Sequence, residues 1–240
     1  MKLRFLLAAL LLLSCRQTFA ALVGIHFAGV INQAEDSTLA VYKDPSAAWL
    51  LELQSKFQIG TAVSGNFYYD SEALPVSSDV EGGDTENVYP ITSVDLSSNG
   101  FTGHANGGEL SIIDGFYGNF DQYVVWADID NDISSSGTIA PLYSAGLSIV
   151  DDTELLFSNG NLPLLPPDIT LYPERHISLM FVKDVNNPDQ GKFAINATLA
   201  SLEVVAVPIP AALWLFGSGL CGLLLTGRRT LGFKFMKQVA

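Results

Sequence analysis

Through the middle of the chain, apolar and polar residues alternate with the period of two that sends successive side chains to opposite faces of a strand. In residues 61–70, Val63, Gly65, Phe67 and Tyr69 fall on one side and Ala62, Ser64, Asn66, Tyr68 and Asp70 on the other, which predicts a strand with one aromatic face. Residues 22–30 are apolar and β-favouring and predict another strand, closed by a polar break over 32–37. Further short β-like runs at 91–96, 109–113, 123–129, 146–150, 154–157, 177–183 and 193–205 are separated by Gly, Asn, Asp and Pro. The stretch with helical spacing is 46–57, where Ala47, Leu50, Leu51 and Gln54 stand at i, i+3, i+4 and i+7 behind Pro45. Residues 71–87 are acidic and rich in Ser and Gly, and read as a loop. Pro163, Pro166 and Pro167 keep 162–168 out of any central strand. Short strands at this spacing predict an all-β body over residues 21–206, an antiparallel β-sandwich of jelly-roll-like form carrying one short helix.

Both ends of the chain depart from the alternation. Lys2 and Arg4 precede nine apolar residues, 5–13, fewer than the roughly 20 that span a bilayer as a helix. That layout predicts a secretory signal peptide over residues 1–20, with Thr18 and Ala20 as the small residues before a cut between Ala20 and Ala21. The sequence Leu12-Leu13-Ser14-Cys15 resembles a bacterial lipobox and offers the alternative start, with Cys15 lipidated. At the other end, residues 204–227 carry no charge, and Arg228 and Arg229 follow at once. Pro208 and Pro210 cannot donate within a helix, so a transmembrane helix is expected from about Pro210. Residues 211–227 then reach about 25 Å, which suffices with local thinning of the bilayer. Trp214 suits the headgroup level, and Arg228, Arg229, Lys234 and Lys237 hold the far side in the cytoplasm. Residues 230–240 become a cytoplasmic tail, and the body lies outside.

The run Val207-Pro208-Ile209-Pro210-Ala211-Ala212-Leu213-Trp214-Leu215-Phe216-Gly217-Ser218-Gly219, closed by Arg228-Arg229, resembles the PEP-CTERM sorting signal of Gram-negative bacteria in its VPxPA variant. Ile209 stands where the named form carries an acidic residue, and eleven residues follow Arg229. The resemblance implies that residues 207–229 are read by an exosortase-like membrane protease and processed near the proline motif. It implies a transient anchor in the inner membrane and, afterwards, a place at the cell surface or in a biofilm matrix beside exopolysaccharide. Residues 60–70 also resemble a segment common in the bodies of PEP-CTERM proteins, which implies a β-sandwich and no activity. Elementary physics agrees with such a tail: a short helix carrying Gly217, Gly219 and Gly222 holds the bilayer weakly, and the prolines keep the flanking chain extended for a protease. The same glycines spell G-x-G-x-x-G, but no strand precedes them in a βαβ unit, so a dinucleotide site is not expected.

Charge narrows the partners. Residues 21–207 hold all 25 acidic groups against Lys43, Lys56, Arg175, Lys183 and Lys192, a body that repels phosphate backbones and excludes nucleic acid as a natural partner. Asp128, Asp130 and Asp132 alternate with Ile129, Asn131 and Ile133. In an extended chain their carboxylates would share one face, about 6–7 Å apart in succession, where calcium would relieve their repulsion. Ile133 and Ile139 stand where an EF-hand loop needs Gly and Glu, so that motif fails, and a solvated turn is the simpler reading. His26, His104 and His176 lack zinc-ligand spacing, and no G-x-S-x-G surrounds a serine. Tyr68, Tyr69, Tyr117, Tyr123 and Trp126 are candidates for a sugar-stacking surface, with core filling as the plainer use of aromatics on strands. The leading expectation is a non-enzymatic surface or matrix protein without a cofactor. A carbohydrate-binding module of the matrix is the alternative, and a secreted carboxylate-dependent hydrolase stands behind both.

Overall fold

A computed structural model describes residues 22–36, 48–81, 84–116, 120–153, 156–157, 160–188 and 191–206. The elements run β1 (Leu22–Asp36), α1 (Ala48–Lys56), β2 (Ala62–Asp70), β3 (Ser77–Glu81), β4 (Asp84–Ser98), β5 (Phe101–Ala105), β6 (Glu109–Phe116), β7 (Phe120–Asp128), β8 (Ser134–Ser136), β9 (Leu142–Asp151), β10 (Glu174–Val182) and β11 (Lys192–Val205). Single 3-10 turns lie at Ile129–Asn131 and Ile169–Leu171.

The protein is all-β and antiparallel with one helix, but its sheet closes on itself rather than splitting into two. The ring runs β1–β2–β4–β6–β7–β9–β10–β11 and returns to β1, an eight-strand barrel in which each wall strand pairs with the wall strand before and after it in sequence. This corrects the expected jelly-roll-like sandwich. Closure depends on β4, which changes partners along its length. Residues 85–90 pair with β6 and residues 91–97 with β2, a stagger of the kind a closed barrel requires. Pro90 sits where the partners change, a place where a missing N–H costs the ladder least. Outside this ring, β3 pairs with the first half of β4, β5 with its second half, and β8 with β5.

Alternation decides which side faces in. Val63, Gly65, Phe67 and Tyr69 of β2 are buried, as the period-two pattern requires, and join Ile25, Phe27, Leu110, Ile112, Tyr123, Ile149, Leu179 and Ile195 in one interior core. Helix α1 closes one end. Leu50 and Leu53 are buried there, and Phe57 just beyond the helix packs on Phe101 and Phe181 with ring centroids 5.4 and 5.1 Å away. Each such side chain contributes on the order of 1.5–3 kcal/mol by leaving water. Many outward positions are polar: Ser64, Asn66, Asp95, Ser97, Ser178, Asn196 and Thr198 are none of them buried, and Val30, Tyr68 and Trp126 face outward among them.

Several local expectations change. The polar break over 32–37 is absent as far as Asp36, because β1 continues against β11, with Gln33 opposite Asn196 and Ala34 opposite Ile195. The acidic stretch 71–87 contains β3 and the start of β4, paired Ser77 to Val88 through Glu81 to Asp84. Leu156 and Phe157 are described but lie in no strand. The sequence reading also passes over β5 and β8. Among the described residues no helix is long and apolar enough to cross a membrane.

Candidate functional site

The outer wall where β1, β2, β4, β5 and β8 lie side by side carries a row of polar residues in register. His26 stands opposite Asn66, Asn66 opposite Asp95, Asp95 opposite His104, and His104 opposite Ser134. Adjacent strands are about 4.8 Å apart, so the row spans about 20 Å. A second row beside it runs Ser64, Ser97, Thr102, Ser136. Its hydroxyls bond in pairs, Ser64 Oγ to Ser97 Oγ at 3.2 Å and Thr102 Oγ1 to Ser136 Oγ at 2.6 Å. Between β4, β5 and β8 lies a groove of about 370 Å³ lined by Asp95, Thr102, His104 and Ser134–Ser136 among others.

The protonation of His104 follows from its neighbours. Asp132 Oδ2 accepts from Asn106 Nδ2 at 3.0 Å, which turns the Asn106 carbonyl toward His104 Nε2, 2.9 Å away. That orientation favours a protonated Nε2 as the donor. The carboxylate of Asp95 lies 2.7 Å from Nδ1, so that nitrogen donates too. These partners favour the doubly protonated ring, and the pKa of His104 is raised by the bond to Asp95 first and Asn106 second, against a smaller opposing effect of burial. Ser134 lies near, yet its hydroxyl donates to the His104 backbone carbonyl at 3.4 Å and not to the ring. With Nε2 engaged by Asn106, the groove holds Ser, His and Asp without the nucleophile-to-base bond of a triad.

The three alternating aspartates do not lie along an extended strand. Asp128 caps the Ile129–Asn131 turn and accepts from the backbone N–H of Asp130 at 3.0 Å. Asp132 follows with a left-handed backbone, φ 52°, and its carboxylate binds Asn106. The shared face that the calcium reading needs is replaced by a capped turn. Among the described residues no three His, Cys, Asp or Glu side chains are grouped to hold a metal ion.

The aromatic candidates divide. Tyr69 and Tyr123 are wholly buried in the barrel, and Tyr117 lies outside the described residues. Tyr68 and Trp126 face outward. Trp126 on β7 stands in a third row, Glu109, Trp126, Gly146, Ser178, Asn196, Gln33, across β6, β7, β9, β10, β11 and β1. Its indole lies over Gly146, close enough that a Cβ there would meet Cε3 at 2.5 Å. Beside it Ser178 donates to Asn196 at 2.8 Å. A half-exposed aromatic face flanked by hydroxyl and amide groups is the chemistry that stacks on a sugar ring and bonds its hydroxyls. None of the three rows was visible as a unit in the sequence, because each gathers residues from strands that are far apart along the chain.

The remaining candidates, Ala20 and Ala21 of the cleavage site, Cys15, and Val207, Pro208, Pro210, Ala211, Trp214, Gly217, Gly219, Arg228 and Arg229 of the sorting signal, lie outside the described residues. No protein-family model, curated protein or solved structure matches the chain.

Proposed function

We propose that the protein is an exported, non-enzymatic surface or matrix component, carried across the inner membrane by its leader and sorted by an exosortase-like protease through residues 207–229. The observation that carries this reading is the charge-free run 204–227, with Val207-Pro208-x-Pro210 at its start and Arg228-Arg229 at its end. The barrel interior is filled by packed side chains, and in the outer groove the Ser134 hydroxyl bonds the His104 backbone carbonyl and not the ring. The reading requires no cofactor. Its test is fractionation of cells with and without the protease: the body should reach the surface or medium only when the protease is present, and equal distribution in both strains contradicts it.

A second reading, a polysaccharide-binding wall, is favoured by one observation: the Trp126 ring laid over Gly146 beside Ser178 and Asn196. Binding to the producer's own exopolysaccharide, measured by calorimetry, should fall at least tenfold in Trp126→Ala. No binding by the unaltered protein removes this reading and leaves the first standing.

A further inference from the structure

Exposed aliphatic side chains are ordinary when scattered, and informative when they gather. Leu74, Val76, Val80, Leu164, Leu165 and Leu171 are each 65–81% exposed. All six belong to segments at the barrel end opposite α1. Leu74 and Val76 follow β2, Val80 lies on β3, and the others lie between β9 and β10. They are held there by bonds and not left hanging. The Tyr69 hydroxyl donates to Pro163 O at 2.7 Å, immediately before Leu164 and Leu165. Asn87 and Tyr89 both donate to Gly160 O, and the Arg175 guanidinium donates to Ile169 O and Tyr172 O on either side of Leu171. Val76 N–H is fixed to Val88 O at 2.7 Å.

The chain enters and leaves the barrel at this same end. Leu22 pairs with Asp70, the last residue of β2, and Val205, the last of β11, lies opposite Gly24. The next residues in sequence belong to the charge-free run that ends at Gly227. We infer that the six aliphatic residues are a membrane-contacting rim, which lies in the interfacial layer of the bilayer that the C-terminal segment enters before processing. This rests on the anchor proposed above. Tethering this end to the bilayer through a short linker raises its effective concentration at the surface, so even weak apolar insertion is populated. Glu72, Asp79, Glu86, Asp152, Asp168 and Glu174 at this end, none of them buried, oppose approach to anionic lipid and keep the contact shallow, so the surface it fits is zwitterionic.

The test uses the full mature chain, with Cys221→Ser and, where Cys15 is retained, Cys15→Ser, reconstituted in phosphatidylcholine vesicles. A bimane fluorophore is placed singly at Leu165→Cys, Val76→Cys and, as the opposite-end control, Ile139→Cys. Nitroxide lipids labelled near the headgroup should quench positions 165 and 76 at least threefold more than 139. Equal quenching at all three in vesicles that retain the chain after an alkaline wash overturns the rim and leaves the anchor intact. A chain removed by the wash overturns both. A fluorophore at 165 shielded from water but not quenched by nitroxide lipid means that a second copy covers this end, and overturns the lipid assignment.

Discussion

At the scale of single residues, His104 on the outer wall is a group whose charge depends on its neighbours. Its folded pKa is raised above the ordinary 6.5 by Asp95 and Asn106, so the folded state binds the proton more tightly than the unfolded chain. The stabilisation is complete below the unfolded value and disappears as pH rises through the raised folded value. The ring and the carboxylate are 43% and 47% exposed, so the effect is small. The melting temperature of the unaltered protein should exceed that of His104→Gln most at about pH 5.5, and the difference should shrink as pH rises through the raised folded value. Tyr123 presents the reverse case. Its hydroxyl is buried without a partner among the described residues, and Tyr123→Phe should raise stability by about 1 kcal/mol in urea unfolding. Asp121 is wholly buried, and its two oxygens accept from the backbone N–H groups of Gly115 and Phe157, both at 2.9 Å. Asp121→Ala strands both donors and should cost about 2 kcal/mol or more by the same measurement.

At the scale of elements, the β9 strand couples to the candidate sugar platform through one position. A methyl group at Gly146 meets both the Trp126 ring and Val125 O at 2.7 Å. Gly146→Ala should therefore lift the indole, seen as a shift in tryptophan emission, and weaken any polysaccharide binding along with it. The strand β2 was fully legible in the sequence because one of its faces is apolar throughout. The pairing of β3 with β4 was not: every residue of β3 whose burial is described is exposed, so no inward set exists to impose a period. The β4–β5 hairpin did have a signal. Asn99 and Gly100 both take left-handed backbones, φ 41° and 76°, the type I′ turn that Asn-Gly favours, and attention to that dipeptide would have exposed β5. The polar break after Val30 misled because β1 remains paired with β11 beyond Ile31, and pairing there outweighs the polar side chains.

At the scale of the whole molecule, alternation identifies strands but does not distinguish a sandwich from a barrel, since both bury one face of each strand. The difference lies in which edges meet. Here the decision is made by β4, shared between β2 and β6, and by β11 returning to β1 across most of the chain's length. The outward rows that form the candidate sites are products of that closure, and no local pattern in the sequence announces them. The ends of the chain, by contrast, show their pattern in composition alone: two cationic residues before nine apolar ones, and a charge-free run over 204–227 that contains Pro208 and Pro210 and is followed by two arginines. The proposal that the barrel is exported cargo therefore depends on what happens to the last 34 residues, 207–240. Intact-mass spectrometry of the protein recovered from wild-type producers and from producers lacking the exosortase-like protease decides it. Loss of the segment beyond the Val207–Ala211 region in the first and its retention in the second is the expected result. Molecules from wild-type producers that uniformly still end in Ala240 contradict it.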